Sequence, residues 1–140
     1  MLDLKNLDCL LLKTRSLLLE MVESCHFLDK YVLVGGSALT LHLCHRKSED
    51  LDFFTYEDNL DFSEILEYIK QFAQKEILNK TDEQIDLLID GVKVTFFNAK
   101  WRFLKPQKNE RFNLATPEQI AAMKVNVLFL RAKYRDYYDL

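Results

Sequence analysis

An α+β fold, a small mixed β-sheet flanked by helices, is what three features of this sequence predict. Helical and strand-like stretches follow one another as helix, strand, helix, strand, helix, hairpin, helix, an order that layers helices on a sheet. The stretch "QIDLLIDGVKVTFFNA" reads as two strands folded back at Asp90-Gly91, a strong hairpin signal. The Gly35-Gly36-Ser37 turn lacks the G-x-G-x-x-G spacing of a dinucleotide-binding fold, which argues against a doubly wound sheet.

The elements follow in chain order. Residues from about Leu7 to Leu28 are rich in Leu and free of Gly and Pro, and read as a helix. "KYVLVGG" is a short buried strand ended by two glycines, and "SALTLHLCH" is a helix with Ser37 near its start. "EDLDFFTY" is a strand. "FSEILEYIKQFAQKEI" has helical spacing, with Ile65, Ile69 and Phe72 on one side. After the hairpin comes a loop-like basic stretch, "WRFLKPQKNERFNLA". Thr116, Pro117 and Gln119 then supply an N-cap, a first-turn proline and a capping-box partner, opening a C-terminal helical segment over residues 116–140.

The chain of 140 residues is sized for one domain with a real core, and its 49% apolar and 29% charged residues are globular proportions. A formal net charge of −3 gives no general reason to expect nucleic-acid binding. The N-terminus lacks a basic start followed by an apolar run, and "IAAMKVNVLFL" is too short to span a bilayer. Three cysteines, Cys9, Cys25 and Cys44, make an odd number without framework spacing, so a reducing cytoplasm is expected.

Chemistry concentrates between Val32 and Phe54, "VLVGGSALTLHLCHRKSEDLDFF". A strand ending in Gly35-Gly36 that turns directly into a helix aims unpaired N–H groups at one point, and glycine lets an anion approach the backbone. Ser37 adds a hydroxyl. A plain strand-to-helix turn with Ser37 as cap reads the same residues equally simply. Downstream, strand alternation puts Asp50 and Asp52 on one face, with Leu51 and Phe53 facing the core. Two like charges so placed repel; a divalent cation removes that cost, and carboxylates suit magnesium. The bland counterpart is an edge strand with two solvated acids. A phosphate turn and a metal pair one helix apart suit a metal–nucleoside triphosphate, with Arg46 and Ser48 as further polar contacts.

These residues resemble the nucleotidyltransferases of the AbiEii/AbiGii toxin type, within the DNA polymerase beta-like superfamily. "AAMKVNVLFLRAKYRDYYDL" resembles that family's later motif, a Lys, then an Arg, then Arg/Lys-Asp and a second Asp. The resemblance implies a nucleotidyltransferase fold and transfer of a nucleoside monophosphate from an NTP, with one or two magnesium ions. It implies that Gly35, Gly36 and Ser37 hold the triphosphate, that Asp50 and Asp52 bind metal, that Lys124 contacts the phosphates, and that Asp136 completes the site. On a continuous helix Lys124, Arg131 and Arg135 share one stripe, and an apolar helix that carries a lysine needs an anionic partner. A structural salt bridge to Asp136 or Asp139 is the other use of that lysine.

The chain departs from the superfamily pattern at two points. A third carboxylate is expected on a neighbouring strand, where "GVKVTFF" offers Thr95; Asp86 is the acid that would stand in for it. The chain also stops at "YYDL", where the family usually continues into more helices. The resemblance implies a toxin with a neutralising antitoxin; a catalytically inactive nucleotide- or partner-binding module and a minimal nucleotidyltransferase acting as antitoxin are the alternatives. An RNA, transfer RNA included, and a protein hydroxyl are both candidate acceptors, the basic segment Lys100–Arg111 leaning toward RNA. Zinc binding by His42, Cys44 and His45 is the weak competitor, because Cys44 faces away from both histidines on a helix and no C-x-x-C pair exists.

Overall fold

The computed structural model describes residues 4–44, 49–55, 60–98 and 113–123. Its elements are α1 (Leu12–Ser24), β1 (Tyr31–Val34), α2 (Gly35–Leu43), β2 (Leu51–Thr55), α3 (Phe62–Ile69), β3 (Lys75–Lys80), β4 (Gln84–Ile89), β5 (Val92–Asn98) and β6 (Asn113–Leu114). A final helix, α4, begins over residues 117–123. The strands form one mixed sheet in the order β3-β4-β5-β2-β1-β6. β2 runs parallel to β5 and antiparallel to β1, and β6 runs parallel to β1.

The alternation of side chains gives this sheet two different faces. On one lie Tyr31, Leu33, Leu51, Phe53, Ile85, Leu87, Val94 and Phe96, all buried. Phe53 and Phe96 stack at 5.5 Å, and Phe27 joins Phe96 to Tyr68 of α3 through edge contacts. Leu17, Leu18 and Met21 of α1 and Ile65 and Ile69 of α3 complete that core. Truncating a fully buried ring such as Phe53 would cost about 3–5 kcal/mol. The opposite face carries Asp52, Thr95 and Asp86, and is the polar one.

Several sequence expectations hold at the level of single bonds. Asp90 and Gly91 both have positive φ, 49° and 81°, which is the type I′ turn that matches strand twist. The capping box is reciprocal: Gln119 N–H donates to Thr116 Oγ1 at 3.1 Å, and Thr116 N–H to Gln119 Oε1 at 2.9 Å. Ile65, Ile69 and Phe72 are all buried.

Other expectations need correcting. The helix read over Leu7–Leu28 is a 3₁₀ turn (Leu4–Cys9), then α1, then a second 3₁₀ turn (Leu28–Lys30). Leu7 and Leu10 are both buried in the core. The helix read through Ile77 stops at Ile69, because Lys75–Lys80 pairs with β4 instead. All six β3 residues are exposed, so the strand leaves no alternating apolar pattern. β6, two residues long, was not foreseen. Cys9 and Cys44 form a disulfide across 35 positions, with Cα atoms 5.5 Å apart, where the sequence suggested unpaired thiols. Cys25 is the free cysteine and is buried.

Candidate functional site

The site starts where β1 becomes α2. Gly35 opens the helix at φ +72°, a left-handed conformation that disfavours any side chain. Its position is also sterically closed: a Cβ there would stand 2.7 Å from Asp52 Oδ2. The residue before the helix is Val34, so no side chain caps its first N–H groups. The glycine turn and Asp52 are therefore packed closely together.

Two buried hydroxyls hold the main chain that presents the acids. Thr14 Oγ1 of α1 donates to the Glu49 carbonyl at 2.7 Å, and Ser37 Oγ of α2 donates to the Asp50 carbonyl. Ser37 is thus engaged side-on with the acidic segment, and its one hydroxyl hydrogen is directed there. Asp50 lies just ahead of β2 and is exposed; Leu51 and Phe53 point into the core as alternation requires.

From Asp52 a row of side chains runs across the polar face. Register pairs Val34 with Asp52, Asp52 with Thr95, and Thr95 with Asp86. Thr95 Oγ1 donates to Asp86 Oδ1 at 2.8 Å, and Gln84 Nε2 donates to the same oxygen at 2.8 Å. Burial, then the nearby Asp50 charge, push the Asp52 carboxyl from an ordinary 3.8 up to about 6; Asp86 adds to this, while Lys93 and a hydrogen bond with Thr95 oppose it. Such a carboxylate is short of positive charge. Among the described residues no three His, Cys, Asp or Glu side chains converge as a metal group.

The structure thus brings Gly35, Ser37, Asp50 and Asp52 together. Arg46, Ser48, Lys124, Arg131 and Asp136 lie outside the described residues. His42 Nε2 meets the Ala115 carbonyl at 2.7 Å, and Cys44 is bonded to Cys9, so these two zinc candidates point to different partners. Lys93, exposed on the polar face near Asp52, was missed. The alternation in "GVKVT" could have found it, since it puts Lys93 and Thr95 on one side of the strand.

A six-stranded mixed sheet with an acid-bearing central strand beside a Gly-Gly helix start defines the nucleotidyltransferase fold. Three solved structures share it: a candidate nucleotidyltransferase from Thermotoga maritima (TM-score 0.59, 16% identity, 89% of this chain and 91% of that one), one from Helicobacter pylori (0.52, 19%, 78% and 55%), and JHP933 from Helicobacter pylori (0.53, 19%, 89% and 57%). Residues 17–107 match the family described as nucleotidyl transferase AbiEii toxin, type IV TA system. The chain belongs to that family. An uncharacterized protein of Aquifex aeolicus is 33% identical over 126 residues, 87% of this chain and 61% of the relative, so the chain spans about three-fifths of that relative's length. No helix among the described residues is long and apolar enough to cross a membrane.

Proposed function

We propose that the chain transfers a nucleoside monophosphate from a magnesium-bound NTP to an acceptor hydroxyl, releasing pyrophosphate, and that it acts as the toxin of a type IV toxin–antitoxin pair. The observation that supports this reading is the close approach of Asp52 to Gly35, which sets the acid beside the uncapped N–H groups that open α2. Main-chain N–H groups at the start of α2 would receive the triphosphate, aided by the helix dipole. Asp50 and Asp52 would hold the cation, which when bound offsets charge on the phosphate oxygens. Thr14 and Ser37 keep the acidic segment in place by fixing its carbonyls, so the acids need little rearrangement when nucleotide arrives. Lys93 supplies positive charge on the same face. By family, Lys124, Arg131 and Asp136 would complete the site from the C-terminal segment, with Arg46 and Ser48 nearby and the antitoxin as partner.

The acceptor is an RNA or a protein hydroxyl. Incubation of the protein with each labelled NTP and magnesium in cell extract should put label into one of these, and Asp52→Ala should abolish it. A nucleotide-binding module without turnover is the second reading, favoured by Thr95 at the third-acid position. It predicts NTP binding with no label transferred by the intact chain. Growth arrest on expression, relieved by Asp52→Ala, separates a toxin from an antitoxin enzyme.

A further inference from the structure

The disulfide closes one end of a small ring in the chain. Cys9 stands five positions before Thr14, and Cys44 five positions before Glu49. At the far end of these two runs, Thr14 Oγ1 donates to the Glu49 carbonyl at 2.7 Å. At the near end, Cys9 and Cys44 are joined through sulfur. Asp50 follows Glu49 directly, so the link bears on the segment that presents the acids. Each half of the link also has its own anchor. Leu7 and Leu10, on either side of Cys9, are buried in the core. On the other half, Cys44 N–H donates to the Thr40 carbonyl at 2.7 Å, and His42 meets the Ala115 carbonyl. Cleaving the link therefore leaves both thiols close to where they started. Cys44 is exposed and Cys9 half-buried, within reach of a small thiol in the folded protein. The third cysteine, Cys25, is buried and shielded from exchange.

We propose that Cys9 and Cys44 form a reversible thiol–disulfide switch, worked by a small-molecule thiol and its disulfide, whose oxidised form tightens the hold on the Glu49–Asp50 segment. A thiolate attacks the exposed Cys44 sulfur, and Cys9 departs as a thiolate that takes up the proton the attacking thiol gave up. A second thiol then frees Cys44. Two small thiols are thereby oxidised to one disulfide as the protein link is reduced to two thiols, and oxidation runs the same steps backwards. Closing one end of the ring raises the effective concentration of the partners at the other end. By linkage, the Thr14–Glu49 bond favours the disulfide by the same factor as the disulfide favours that bond. The effect on turnover rests on the reading of Asp50 as a cation ligand; the switch itself does not.

The test equilibrates the folded full chain in mixtures of reduced and oxidised glutathione, quenches with an alkylating reagent, and reads the disulfide fraction by mass. The pair should convert in both directions with the native circular dichroism retained and Cys25 unmodified. Thr14→Val keeps the shape but removes the far-end bond, and should shift the balance toward the dithiol about fivefold, the worth of one net hydrogen bond. Thr116→Ala, outside the ring, should titrate like the parent. On reduction, amide hydrogen exchange over Glu49–Thr55 should quicken by a larger factor than over the β4–β5 hairpin. Reduction only with loss of the native circular dichroism overturns the switch. A Thr14→Val variant that titrates like the parent, or equal quickening of exchange over both regions, overturns the coupling and leaves the link a plain staple. No arm contains nucleotide or metal, so failure here and failure of label transfer are separate results.

Discussion

Replacing Gly35 with alanine combines two costs that the structure allows to be separated. The first is backbone: at φ +72° a residue with a Cβ is disfavoured by about 1–2 kcal/mol, part of which is returned by the stiffer unfolded chain. Gly91 carries the same cost alone, because at φ +81° its added Cβ would meet only the end of the Lys13 side chain at 3.6 Å, an ordinary contact. The second cost is the approach to Asp52 Oδ2 at 2.7 Å, which only Gly35 has. Forcing a buried group aside typically adds about 1–3 kcal/mol. Gly35→Ala should therefore lose about 1–3 kcal/mol more than Gly91→Ala in urea unfolding. Placed in an Asp52→Ala background, the excess should vanish, since the remaining Asp52 Cβ lies at an ordinary 3.6 Å. An equal loss for the two glycines, or an excess that survives removal of the Asp52 carboxylate, would refute the contact and with it the reasoning that links turn to acid.

The raised Asp52 affinity for protons has a definite sign. Because the folded protein holds this proton more tightly than the unfolded chain, its contribution is present at low pH and is lost as pH rises from about 4 to about 6. That amounts to a loss on the order of 3 kcal/mol at most. Asp52→Asn, measured in chelator, should thus be more stable than the parent at pH 8 and nearly equal at pH 4; a gap independent of pH would contradict this. Reducing the Cys9–Cys44 link, or Cys9→Ser, should lower stability by about 3–4 kcal/mol for a loop of this length, read from denaturant midpoints. Burial pushes the Cys25 thiol up to about 12, so thiol reagents should label it only after unfolding. Thr116→Ala should cost about 1 kcal/mol by removing the cap of α4, while Pro117→Ala should cost little.

Local chemistry made part of this molecule legible. Asp90-Gly91 specified its turn because φ > 0 at both positions suits those two residues, and Thr116-x-x-Gln119 specified a helix start because the two side chains satisfy each other's neighbours. The alternation around "DLD" was readable for the same reason: Leu51 and Phe53 could only face inward. What failed to show was whatever depends on a partner distant in sequence. β3 is held by β4 and buries nothing of its own, so its residues looked like the tail of a helix. The Cys9–Cys44 link joins a 3₁₀ turn to the end of α2, which no spacing rule announces. The Asp86–Thr95 pair was within reach, because counting outward from a two-residue turn at Asp90-Gly91 sets them opposite each other. The family-implied residues after Met123 lie outside the described residues.

The attachments of α2 have a consequence for how a ligand would be received. Its far end is tethered to Cys9, its flank is tied to Ala115 through His42, and Ser37 fastens its first turn to Asp50, just ahead of β2. A helix pinned at three points has little room to rock, so its uncapped first turn is held in place beside Asp52. Under the proposed function, nucleotide capture there should freeze few motions of the protein, and its entropic penalty should come chiefly from the ligand's own loss of freedom.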